Sequence, residues 1–209
     1  MNGPERYDIP PERLERWLDR WVELHGEIAG RSQGPERLTL TAADGAVLEC
    51  DPPFPPLTGK GVEGLLAHVR RDRVVAVLLV RLGGHAAGVF SGRRLVDSKV
   101  DNRFVKGRHK KGGSSANRFR RRREEQERDL IEAAAAETAR ILGPWRDKVE
   151  HGALGGDRTA VGRTLAERPD LEWLDTLALE RFFDVPDPRL RVLEGLPYQL
   201  YAAKVVEGD

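Results

Sequence analysis

The sequence predicts an α/β fold: a mixed sheet of three antiparallel strands with parallel additions, preceded by a helix and hairpin extension. Three observations predict it. A β-branched apolar run, VVAVLLVRL at 74–82, has the composition of a buried central strand. Two more strand-like segments follow it through short turns, which implies an antiparallel meander. A long helical segment then leads into a second, smaller strand–helix–strand pattern, the signature of parallel crossovers.

Taken in order, residues 1–10 read as a flexible lead. A helix is expected over 11–29, where Leu14, Trp17, Leu18, Trp21, Leu24 and Ile28 recur at helical spacing after Pro10-Pro11. The two tryptophans are expected to pack rather than bind. Residues 30–36 read as a loop, and segments 37–41 and 46–50 flank Ala-Asp-Gly as a hairpin. Four prolines within 51–56 cannot form regular structure and predict a linker. The expected division is therefore an N-terminal extension over 1–50 and a main domain over 57–209.

The main domain opens with a helix at 61–71, then the strand at 74–82. Gly83-Gly84 turns the chain into a second strand, and 94–100 gives a third. A helix over 117–142 ends at Gly143-Pro144. A strand at 148–154 comes next, then a helix capped by Asp157, short helix or extended chain at 171–179, and a last strand within 198–206. That order is the order of an RNase H-like layer.

Among 209 residues, 39% are apolar and 33% charged, which fits one globular body with a charged surface. The absence of an apolar run of 18 residues predicts no membrane span. The start lacks a basic-then-apolar leader, so a cytoplasmic location is expected. Cys50 is the sole cysteine and is expected to be a small strand or core residue.

The formal net charge of +1 averages over an uneven distribution. Residues 103–123 hold ten Lys or Arg, one His and no Asp or Glu, leaving the remainder net acidic. A polyanion partner explains such segregation, because each cation set on a phosphate releases condensed counterions. A solvated basic loop explains the charge equally well.

The spacing adds more. Gly112-Gly113-Ser114-Ser115 stands directly before a helix whose start carries Arg118 and Arg120, Arg121, Arg122 and Arg123. Glycines let the backbone approach a ligand, and a helix start offers free N–H groups to a phosphate or oxyanion. Cations in a first turn oppose the helix dipole, at a few tenths of a kcal/mol each, so an external anion is the economical explanation. Phe104 and Phe119 bracket the loop and either anchor it or stack on bases. Ser115 or Asn117 is also an ordinary N-cap, and Gly-Gly-Ser-Ser an ordinary connector.

The segment KGRHKKGGSSANRFRRRREE at 106–125, with its strand–loop–long-helix setting, resembles the catalytic loop of the VLRF family of release-factor-like peptidyl-tRNA hydrolases, in particular the actinobacterial branch. That family is related to the middle domain of the eukaryotic class-1 release factor. The resemblance covers about 57–206. It implies a peptidyl-tRNA hydrolase that rescues stalled ribosomes or large subunits without a cofactor or metal and acts as a monomer. It assigns catalysis to Gly112, Gly113, Ser114 and Ser115. RNA contacts fall to Lys106, Arg108, His109, Lys110, Lys111, Arg118 and Arg120, Arg121, Arg122 and Arg123. Ser115 departs from the family pattern, which has glutamine there. A non-hydrolytic ribosome- or RNA-binding module using the same loop is the alternative.

Other chemistries have weaker support. Asp97, Asp101 and Asp157 are the carboxylates available to a metal nuclease, but no spacing forces them together. His25, His68, His85 and His151 lack metal spacing and are expected to be structural or exposed. Gly83-Gly84 and Gly155-Gly156 read as turns rather than nucleotide-binding fingerprints.

Overall fold

The computed structural model describes residues 5–81, 83–102 and 114–208. Its first elements are β1 (Glu5–Ile9), α1 (Pro11–His25), β2 (Ile28–Gln33), β3 (Leu38–Ala42), β4 (Val47–Asp51) and α2 (Gly61–Arg70). Then come β5 (Val74–Arg81), β6 (Gly84–Ser91), β7 (Arg94–Asn102) and α3 (Ser114–Leu142). The chain ends with β8 (His151–Gly156), α4 (Arg158–Ala166), α5 (Glu172–Thr176), α6 (Leu190–Gly195), α7 (Pro197–Leu200) and β9 (Ala203–Gly208). They form two compact units, one of Met1–Arg71 with Leu196–Asp209, the other of Asp72–Gly195.

The first unit is an antiparallel sheet in the order β1-β9-β4-β3-β2. Strand β3 alternates buried Leu38, Leu40 and Ala42 with more exposed threonines, so one face is apolar. Helix α1 covers that face with Leu14, Leu18 and Trp21, which share a core with Leu48, Cys50 and Val205. Cys50 is fully buried, and burial pushes its thiol up to about 12, so it packs as a small apolar residue.

Three expectations are corrected in this unit. The lead contains β1, which pairs with β9 from Glu5↔Glu207 to Ile9↔Ala203. Residues expected as helix end and loop form β2, because Gly26 at φ 88° stops α1 and turns the chain back. The last strand joins this sheet beside β4 and not the sheet of the main body. The division consequently falls at 71/72 and 195/196 rather than in the proline stretch, where Phe54 is buried edge-on to Tyr201.

His25 ties the unit together. Its Nδ1 lies 2.9 Å from Asp44 at the hairpin turn, and its Nε2 lies 3.0 Å from Glu207 on β9. The Asp44 hydrogen bond, against some opposing burial, holds the imidazole pKa above its ordinary value.

The second unit carries a sheet in the order β7-β6-β5-β8. The β5–β6–β7 meander is antiparallel, and β8 runs parallel to β5 from Val75↔His151 to Val80↔Gly156. Parallel bridges Gly152↔Ala178 and Gly155↔Phe183 extend the row past β8. Glycine makes that row possible. A Cβ on Gly152 would lie 2.7 Å from the Leu174 carbonyl oxygen, and one on Gly155 would lie 2.6 Å from that of Phe183.

One face of this sheet presents Ala76, Leu78, Val80, Ala87 and Val89 to Ile131, Ala134, Ile141 and Leu142 of α3 and to Val161 of α4. Helix α4 starts where expected, with the Asp157 carboxylate accepting from the Ala160 N–H at 2.9 Å. Helix α3 begins earlier than expected, at Ser114, so Ser115 and Asn117 fall within its first turn instead of capping it.

The His25 clasp has a testable sign. A raised folded pKa contributes stability fully below the unfolded value, about 6.5, and loses it as pH rises through the folded pKa. Chemical unfolding at pH 6 and pH 8.5 should therefore show the native protein losing stability over this range. His25→Gln should flatten that loss; an undiminished pH dependence in the variant would contradict the clasp.

Candidate nucleic-acid interface

Strand β7 delivers the chain to Asn102, paired with Gly84 at the start of β6. Gly84 in turn pairs with Arg81 at the end of β5, and the adjacent Val80 pairs with Gly156 at the end of β8. β7, β5 and β8 all run the same way, so their carboxyl ends share one edge of the sheet. Ligands of open α/β sheets gather outside that edge. Residues 103–113 connect this edge to Ser114.

The expected site residues divide accordingly. Lys106, Arg108, His109, Lys110, Lys111, Gly112 and Gly113 lie outside the described residues. Ser114 and Ser115 are placed by their backbone in the first turn of α3. The first four N–H groups of a helix have no intrahelical acceptor, which leaves those of this turn available to an anion. Arg118, Arg120, Arg121 and Arg122 are exposed, and Arg123 is half-buried.

Helix α3 is two different helices in one. From Leu130 onward, Leu130, Ile131, Ala134, Ala135, Thr138, Ile141 and Leu142 form a buried stripe. No described side chain from Arg118 to Asp129 is buried. Leu130 lies about 24 Å along the axis from Ser114, at 1.5 Å per residue. The stretch bearing the arginines is therefore an arm set on a packed base.

The arm's charge is only partly balanced from within. Arg120 faces Glu124 at 3.7 Å, and Glu127 is engaged by Arg163 of α4. Among the described residues, Arg118, Arg121, Arg122 and Arg123 have no carboxylate partner. The first turn contains no acidic residue. With α3 starting at Ser114, these cations stand in its second and third turns, beyond the first-turn reach of the helix dipole. Their mutual repulsion, uncompensated, fits an anionic partner.

Other candidate chemistries find no geometry. Asp97 accepts from Trp145 Nε1 at 3.2 Å, Asp157 caps α4, and Asp101 sits opposite His85 in the β6–β7 ladder. No group of three or more His, Cys, Asp or Glu able to hold a metal occurs among the described residues. His68 is buried and bonded to the Phe54 carbonyl oxygen at 2.8 Å, and its other nitrogen meets Thr58; His85 is also buried. No helix of the described residues is long and apolar enough to cross a membrane.

Residues 73–206 match the family model described as Actinobacteria/chloroflexi VLRF1 release factor. The chain belongs to that family. Its setting is therefore translation, and the matched span takes in the arm and the sheet that carries it. No curated protein matches the chain. A solved archaeal translation termination factor, aRF1, is similar at 17% identity and a TM-score of 0.46, covering 95% of this chain and 66% of that one. Another, described as an archaeal protein, is similar at 15% identity and a TM-score of 0.43, covering 78% and 52%. The chain thus spans less than two thirds of these solved chains, and the family match alone carries the assignment.

Sequence inspection missed Arg163, whose pairing with Glu127 docks α4 on the side of the arm. A separation of 36 residues leaves no periodic trace of that contact. The arm's division from its base makes a stability prediction. Replacing Arg120, Arg121, Arg122 and Arg123 together with Ala should leave the unfolding free energy within about 1 kcal/mol of wild type, whereas Leu130→Ala should cost about 3 kcal/mol. Urea unfolding measures both, and a large loss in the arginine variant would show that the run holds the fold.

Proposed function

We propose that this protein is a peptidyl-tRNA hydrolase that releases nascent chains from tRNA on stalled ribosomes or large subunits. The observation that carries the proposal is the arm: the arginine-bearing outer part of α3, with no described side chain from Arg118 to Asp129 buried, shortly after Gly112-Gly113. Family membership supplies the translation setting. The sheet order β7-β6-β5-β8, continued by the parallel bridges at 178 and 183, supports an RNase H-like body over Asp72–Gly195.

In this proposal the nucleophile is water, attacking the ester carbonyl that joins peptide to tRNA. Gly112, Gly113, Ser114 and Ser115 form the tip that places it. Glycines allow the backbone to reach the ester, and N–H groups at the helix start face the oxyanion that develops on the carbonyl oxygen. Lys106, Arg108, His109, Lys110 and Lys111, with Arg118 and Arg120, Arg121, Arg122 and Arg123, hold ribosomal and transfer RNA. Most of the catalysis is then positioning, worth orders of magnitude when the ester and water are held in line. The mechanism invokes no metal or cofactor, and the protein acts as a cytoplasmic monomer.

Ser115 favours a second reading, since it stands where the family pattern has glutamine. A tip that positions water through a glutamine side chain would here be a non-hydrolytic ribosome binder. A tip that works through backbone N–H groups keeps its activity.

The two readings separate on large ribosomal subunits carrying labelled peptidyl-tRNA. Hydrolysis predicts peptide release by wild type, a fall of about 100-fold in Gly113→Ala, and a milder effect of Ser115→Ala. Binding without any release by wild type would establish the non-hydrolytic reading instead.

A further inference from the structure

Helix α4 brings a second cation to the side of the arm. Arg158, its first residue, is exposed and lays its guanidinium over the Phe182 ring at 4.2 Å from the ring centre. Among the described residues it has no carboxylate partner. Asp157, next to it, spends its carboxylate on the Ala160 N–H. Phe182 packs against the cluster that includes Ile131 and Ala134 of α3, so this stack lies on the face of the sheet that the arm's base covers.

Position along the helices links the two. Arg163 of α4 is paired with Glu127 of α3. Arg158 lies five residues before Arg163, about 7.5 Å nearer the start of its helix, and Arg121 lies six before Glu127, about 9 Å nearer the start of α3. At about 3.6 residues per turn both turn to the same side of the helix pair. In chain order each helix follows a strand parallel to β5, α3 after β7 and α4 directly after β8.

We propose that Arg158, stacked on Phe182, extends the arm's arginine run into one track for an RNA backbone. This inference rests on the RNA reading of the arm and adds a contact from a second helix. Stacking fixes the guanidinium plane and leaves its outer face open, and a pre-fixed, weakly hydrated guanidinium loses little on meeting a phosphate or a base. A phosphate chain is favoured over an acidic protein surface because Arg158, like Arg121 and Arg122 of the arm, is an exposed guanidinium with no carboxylate partner among the described residues, and regularly spaced phosphates can meet several such cations at once.

The test is equilibrium binding of the full-length protein to purified large ribosomal subunits over a range of salt. Arg158→Ala should weaken binding several-fold and reduce the log K against log salt slope by about 0.7 to 0.9, the loss of one phosphate contact. Arg158→Glu should weaken it further, and Phe182→Leu should weaken it with the slope retained. A triple variant, with Arg121, Arg122 and Arg123 changed to Ala, tests the arm separately. Wild-type affinity and slope in Arg158→Ala and Arg158→Glu, with a weakened triple variant, would overturn this inference and leave the arm's role standing. Unchanged binding in all of them would overturn both. Thermal unfolding of each variant checks folding; if Arg158→Ala is misfolded, Arg158→Glu and Phe182→Leu decide between the outcomes.

Discussion

The second unit depends on one packed seam, the stripe from Ile131 to Leu142 of α3 against the β5–β6 face. Leu130, Ile131, Ile141 and Leu142 are all buried to within a few per cent, and burial of each such side chain contributes about 1.5–3 kcal/mol. The small residue Ala134 lets the helix come close to the sheet, where Ala76 and Ala87 share its cluster. Everything toward Ser114 from Leu130 is held in place by this seam and by the Arg163–Glu127 pair. That pair is partly exposed, so its contribution to stability is small. Its value is in orientation.

A base packed over about 13 residues supports an unpacked start of similar length because helix propagation is cooperative. The costly nucleation step is already covered by the packed half, and each further turn adds its own hydrogen bonds. Among the described residues the outer turns nonetheless bury no side chain, and their cations repel one another. An arm of this kind is least stable alone and gains most from a polyanion. The carboxyl ends of β7, β5 and β8 share one edge of the sheet, and α4, which carries Arg158 and Arg163, starts directly after it.

Much of this is legible in the sequence, for identifiable reasons. The apolar run at 74–81 and the glycine turns after it specify the meander, because buried strands must be apolar on both faces. Asp157 marks its helix start through ordinary capping chemistry. The basic segment shows the candidate interface through charge alone. What stays illegible is long-range pairing without a compositional mark. Strand β2 carries the exposed sequence IAGRSQ and is held by its ladder with β3, and β1 exists only because β9 returns to pair with it. That return also takes the last strand out of the main sheet. Arg158 gives no signal because its partner Phe182 is far along the chain, on a segment without regular structure.

The central claim is that the outer half of α3 is the surface that meets RNA, while its inner half only anchors. Amide hydrogen exchange of the full-length protein, free and saturated with large ribosomal subunits, tests it most directly. Exchange over 130–142 should be slow in both states, and fast exchange over 114–129 should become strongly protected on binding. Binding that protects other segments while 114–129 exchanges as in the free protein would contradict the claim.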